Sequence, residues 1–203
     1  MALVKYNNNS LSAITSTGLA TRDMVLIKSV TASSDSTISF AHGTSDVVLD
    51  STYPIYLFQF INIHPATDSQ HLYVNFRDGS SAYDATKTTS AFRAVADEGG
   101  SSTALGYLTG LDLAQSTAAQ PISGTVGNLN DESFSGELWL FNPASTTFVK
   151  HFLCRGNTYS QDNQTVDMYF AGYCNVTAAI DGVRFTMSSG NIDAGVIKLY
   201  GIS

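Results

Sequence analysis

The sequence predicts an all-β fold: an antiparallel β-sandwich, jelly-roll-like, of about nine to eleven strands, with an extended N-terminal arm. Three observations predict it. Apolar and polar residues alternate over short runs. The runs recur every ~8–14 residues with polar turn clusters between them, the spacing of sandwiches and barrels. The composition is also that of a β protein. Ser (25), Thr (21), Phe (11) and Tyr (10) are abundant, while charged residues make up 13% of the 203, about half the usual share. A chain of this length buries about 70% of its unfolded surface in one core. The expected division is an arm over 1–22 and one sandwich domain over 23–203. No βαβ unit and no fixed-period repeat is visible.

Residues 1–22 carry no sustained period. Leu3, Val4, Tyr6, Leu11 and Ile14 stand isolated among Ser, Thr and Asn. Two readings stand side by side: a frayed terminus, or an anchor ordered on a neighbouring subunit. Strand text starts at Met24 with "MVLIKSVTA" and "STISF". In "STYPIYLFQFINIHP", Tyr56, Phe58 and Phe60 share one face, and Ile55, Leu57, Ile61 and Ile63 the other. A strand apolar on both faces belongs at the centre of a sheet or under two layers. Pro54 and Pro65 bracket it. "HLYVNFRDGSS" points Leu72, Val74 and Phe76 one way and closes on an Asp78-Gly79 turn.

The pattern is weakest over 80–130. "TTSAFRAVA" reads as a strand. "TALGYLTGLDLAQ" suits a helical turn or two, against its two glycines. Irregular edge strands and long loops are expected here, and with them any surface that varies to meet a partner.

Alternation returns further on. Phe134, Leu138 and Leu140 oppose Ser135, Glu137 and Trp139. Val166, Met168, Phe170 and Cys174 oppose Asp167, Tyr169, Ala171 and Tyr173. Val183, Phe185 and Met187 oppose Arg184 and Thr186. After the Ser189-Gly190-Asn191 turn, "AGVIKLYGI" is expected to return beside "GVRFTM", with Ile197 and Leu199 inward and Val196, Lys198 and Tyr200 outward. A hairpin centred on "NTYSQDNQ" sets Cys154 opposite about position 167, so Cys154 and Cys174 are expected as reduced core thiols.

The formal net charge is −7, and the cations Lys28, Arg77, Lys87, Arg93, Lys150, Arg155, Arg184 and Lys198 are scattered singly. No cluster tracks a phosphate backbone, which argues against nucleic acid and against an anionic membrane surface. No apolar run is long enough for a bilayer-spanning helix, and "MALVKYNNNSLSAITSTG" lacks a signal-peptide apolar core. Synthesis in a cytoplasm without export is the expectation. The sequons at Asn8, Asn163 and Asn175 arise readily by chance in such a composition.

Catalytic patterns are missing. There is no phosphate-binding Gly-rich loop and no G-x-S-x-G elbow. His42, His64, His71 and His151 hold no metal-ligand spacing, although His64 or His71 with Asp68 would make a base and its orienter. Glu137 with Asp167 is the one carboxylate pair compatible with glycosidase chemistry, and two solvent-facing carboxylates on a sheet are the plainer reading. Asp46, Asp50 and Asp68 lack calcium-loop spacing. The expectation is a non-enzyme without cofactor or metal. Trp139, Tyr169, Tyr173 and Tyr200 fall on the non-core side of their strands. They suit subunit packing, since interfaces are rich in Tyr and Trp, or a platform for sugar rings.

The run "SFAHGTSDVVLDSTYPIYLFQFINIHPATDSQHLYVNF", the stretch "NPASTTFVKHF", the opening "MALVKYNNNSLSAIT" and the ending "SSGNIDAGVIKLYGIS" resemble virion proteins of marine tailed bacteriophages, including cyanophages. These motifs are packing and turn motifs. The resemblance implies a structural or tail-fibre-like protein of the phage particle, a head decoration, fibre or tail appendage. It implies a homo-oligomer, a trimer being the expected state, in contact with capsid, portal or tail components. Recognition of host-surface glycan by loop aromatic and amide residues is the alternative role.

Overall fold

The computed structural model describes residues 24–203; the arm and its Leu3, Val4, Tyr6, Leu11 and Ile14 lie outside them. The described chain forms twelve strands: β1 (Met24–Thr31), β2 (Ile38–Ala41), β3 (Ile55–Pro65), β4 (Leu72–Arg77), β5 (Lys87–Asp97), β6 (Thr103–Tyr107), β7 (Gln120–Pro121), β8 (Phe134–Phe141), β9 (Lys150–Ser160), β10 (Gln164–Cys174), β11 (Gly182–Met187) and β12 (Ile192–Ile202). No helix occurs among the described residues. Two antiparallel sheets result. The larger has eight strands in the order β1-β12-β3-β8-β9-β10-β5-β6, and the smaller four in the order β2-β11-β4-β7.

The pairing is nested. β1 pairs with β12, β2 with β11, β3 with β8 and β4 with β7. β5–β6 and β9–β10 extend the larger sheet beyond β8. This corrects the expected strand count of nine to eleven. The additional strands are β6, exposed along its whole length, and the two-residue β7. Neither carries an apolar alternation by which it could be read. The segment that suits a helical turn is instead β6 and the turn after it.

The closing strand is also placed differently. β12 does not return beside β11. It crosses to the other sheet and lies between β1 and β3. Its phase is as expected, with Ile197 and Leu199 buried. Alternation fixes which side chains turn inward but not which neighbour a strand takes.

In β3, Ile61 and Asn62 together occupy one pairing step between Phe60↔Gly136 and Ile63↔Phe134. Asn62 adopts φ 49°, and its backbone N–H donates to Ser135 Oγ at 2.9 Å. The bulge turns Ile63 over, so this residue is fully buried in the core rather than on the face of Ile55 and Leu57. Gly195 of β12 (φ 113°) lies against the bulge; a Cβ there would stand 2.5 Å from the Asn62 carbonyl oxygen.

The core between the sheets is aromatic. Phe185 stands edge-on to Phe58 and Phe60, at centroid distances of 5.4 and 5.1 Å. Phe134 lies over Gly136 and Gly156, where a Cβ on Gly156 would come within 2.9 Å of the Ser135 carbonyl oxygen. The β9–β10 turn sets Cys154 opposite Phe170 and Cys174 opposite Lys150. This is about three positions from the expected register, because the turn centres on Asp162, with Asn163 at φ 53°. Both cysteines are buried and unbridged.

Candidate functional site

The outer face of the eight-stranded sheet, turned away from the smaller sheet, gathers the four predicted aromatics. Cross-strand register builds a row Leu26–Tyr200–Leu57–Trp139–Leu153–Ala171. The adjacent row reads Lys198–Gln59–Glu137–Arg155–Tyr169–Phe92–Tyr107. Tyr173 lies on the other side of the first row, opposite His151. The strands alternate, so Leu138, Cys154 and Phe170 fill the core while Trp139, Leu153 and Tyr169 face out. Leu26 (51%), Leu153 (49%), Phe92 (43%) and Tyr107 (55%) are exposed. No described segment covers them. The first row is largely apolar, whereas the second is polar from Lys198 to Arg155 and aromatic from Tyr169 to Tyr107.

Tyr169 is held on both sides. Phe92 stacks on it at 4.5 Å and 5°. From the neighbouring strand, the Arg155 guanidinium lies 4.7 Å from its ring centroid. Arg155 Nη2 pairs with Asp167 Oδ2 at 2.9 Å, and the Tyr169 hydroxyl donates to the same oxygen at 3.1 Å. The Asp167 carboxylate raises the Arg155 pKa through this hydrogen-bonded pair. With both ring faces occupied, Tyr169 offers a sugar only its edge. A hollow of about 340 Å³ remains between Phe92, Tyr169, Trp139 and Leu153. A more polar groove of about 680 Å³ adjoins it, lined by Gln59, Glu137, Arg155, Asn157 and Asp167.

The other candidates are not brought together for chemistry. Asp167 is engaged by Arg155 and Tyr169, and Glu137 stands across from Arg155 in the ladder. His64 Nε2 meets the Leu129 carbonyl at 3.1 Å, and His71 Nδ1 the Ser123 carbonyl at 2.9 Å. Asp50 accepts from the Thr52 backbone N–H at 2.8 Å, and hydrogen bonding from the Thr52 side chain and then its backbone holds the carboxyl below the usual range. No group of three His, Cys, Asp or Glu side chains suited to a metal ion occurs among the described residues.

Sequence reading missed two features. Leu153 and Phe92 join the outer face at positions where a polar residue is expected, and the signal was apolar residues at both parities of β9 and β5. The second is a pair of buried lysines. Lys87 and Lys150 flank Cys174 from the two neighbouring strands, and all three are fully buried. Desolvation pushes both ammonium groups down and the Cys174 thiol up to about 12. A thiol held protonated in this way is not a nucleophile.

Searches against protein-family models, curated proteins and solved structures return no match.

Proposed function

We propose that this chain is a non-enzymatic structural subunit of a bacteriophage virion surface, a head decoration, fibre or tail appendage, that works by assembling with copies of itself. The observation that carries this reading is the uncovered outer face of the eight-stranded sheet. Eight strands at ~4.8 Å spacing and eight residues at ~3.3 Å rise make a face of about 1,000 Å², polar and apolar rows together. A standard interface takes about 800 Å² from each partner. Charge fits a second copy as well. The chain carries −7, whereas the central rows balance Lys198 and Arg155 against Glu137 and Asp167, so like faces do not repel.

The nested strand pairing suits a jelly roll, an architecture recurrent in capsid proteins. The resemblance to marine phage virion proteins supplies the location, and a trimer, in contact with capsid, portal or tail components, is the proposed state. Leu153→Glu tests the assembly, because this side chain is half exposed and its replacement leaves the core intact. Native mass measurement is expected to give an oligomer for the wild type and a monomer for the variant, which still unfolds in one cooperative thermal transition. A monomeric wild type at micromolar concentration overturns the reading. So does an unchanged oligomer in Leu153→Glu. A wild-type monomer whose face resists hydrogen exchange would assign the cover to residues 1–23 instead.

A second reading rests on the groove of Gln59 and Asn157 amides beside Trp139, a combination that suits host-surface glycan. A glycan array probed with the intact oligomer tests it, and absence of binding removes it.

A further inference from the structure

We propose that a cleft on the other side of the larger sheet, beside Arg93, binds a carboxylate-bearing sugar. Arg93 breaks the pattern of its strand. Ala91 and Val95 are buried on the core side of β5, and Arg93, between them at the same parity, pairs in the ladder with the buried Met168. The Arg93 side chain is nevertheless exposed, and its guanidinium makes no ion pair or side-chain hydrogen bond among the described residues. It lies at a cleft of about 370 Å³ shared with His71, Tyr107, Thr109, Thr125 and Met168. The smaller sheet ends at β7, so the turns around Thr109 and Thr125 form the facing wall.

The chemistry of the cleft selects the ligand. The planar guanidinium matches a carboxylate in a two-point contact. Asp112, in the turn region after β6, accepts from the Tyr107 hydroxyl at 2.6 Å. His71 Nδ1 lies 2.9 Å from the Ser123 carbonyl and therefore carries the proton in the neutral ring. Its Nε2 is then a lone-pair acceptor, which suits a ligand hydroxyl. The two threonine hydroxyls add donors and acceptors, and Met168 supplies an apolar floor. Sites for small ligands span roughly 300–1,000 Å³, so this one, at the low end, suits a monosaccharide unit. A carboxylate, several hydroxyls and a small apolar ring face together describe a uronic acid.

The proposal does not rest on the assembly reading. Arg93 faces away from the outer face, and Leu153→Glu leaves the cleft untouched. The test titrates the full-length protein with galacturonate and with galactose, and compares Arg93→Met and Arg93→Lys. The wild type is expected to bind galacturonate at least tenfold more tightly than galactose. Arg93→Met is expected to lose that preference with an unchanged thermal midpoint, and Arg93→Lys to keep part of it. Equal binding of the two sugars by the wild type overturns the proposal, as does an undiminished preference in Arg93→Met. A trigalacturonate titration then separates two sources. Tighter binding of the trimer points to a polysaccharide and equal binding to a free sugar acid, and either supports the carboxylate site.

Discussion

Lys87 and Lys150 occupy equivalent places on either side of Cys174, but their hydrogen bonding differs. Lys150 Nζ donates to the carbonyls of Ser145, Phe148 and Val176, at 3.2, 3.2 and 2.7 Å. Lys87 Nζ donates to Ala85 O at 2.9 Å and to no other group among the described residues. Burying a charge with one partner costs more than its hydrogen bond returns. Lys87→Met is therefore expected to stabilise by about 1 kcal/mol or more. Lys150→Met strands three carbonyls and is expected to cost at least about 2 kcal/mol. Urea denaturation of the two variants checks the contrast, and equal effects would contradict it.

Cys174 gives a pH dependence. Its thiol is raised from 9.0 to about 12 by burial, so in the folded state it keeps its proton where the unfolded thiol loses it. The stability it contributes is complete below pH 9 and is lost as pH rises toward 12, by up to about 1.4 kcal/mol per pH unit. The two lysines, depressed by burial, act in the opposite sense as pH approaches 10.5. Cys174→Ala is expected to be less stable at pH 7, through the cavity left, and to lose less stability than the wild type between pH 9 and 11. Parallel pH profiles would contradict this.

At the scale of the element, β3 separates what periodicity reveals from what it hides. Tyr56, Phe58 and Phe60 were legible as one face, and they are buried in the core. Ile63 was not, because strict alternation carries it to the wrong side and nothing in "FINIHP" announces a bulge except an Asn able to adopt positive φ. Asn62→Ile places a β-branched residue at φ 49° and is expected to cost about 1–2 kcal/mol. Asn62→Gly, free of that strain, is expected to fall close to the wild type in the same denaturant titration. β6 and β7 escaped sequence reading for a different reason. A fully exposed edge strand and a two-residue strand have no buried face to write into the sequence.

At the scale of the molecule, the class of fold and the inward side chains of most strands were legible, because burial imposes a period of two. Strand order was not, since β12 satisfies its alternation beside β11 or beside β1 and β3 alike. Trp139, Tyr169, Tyr173 and Tyr200 were legible as outward-facing. Their convergence with Leu57, Leu153 and Phe92 depends on register across six strands, which local pattern does not encode. Arg93 could have been found from "AFRAVA", where a guanidinium interrupts an otherwise small and apolar face.

The pairing of β1 with β12 has a mechanical consequence. Met24 lies opposite Ile202, so the start of one strand and the end of the other meet at one corner of the sheet. A pull applied across these two residues loads the ladder one hydrogen bond at a time, in the manner of a zipper, instead of shearing all of its bonds together. Stretched between those points, the molecule would peel open at low force from that corner. Held from one side only, it would carry load through the body of the sandwich with this seam slack.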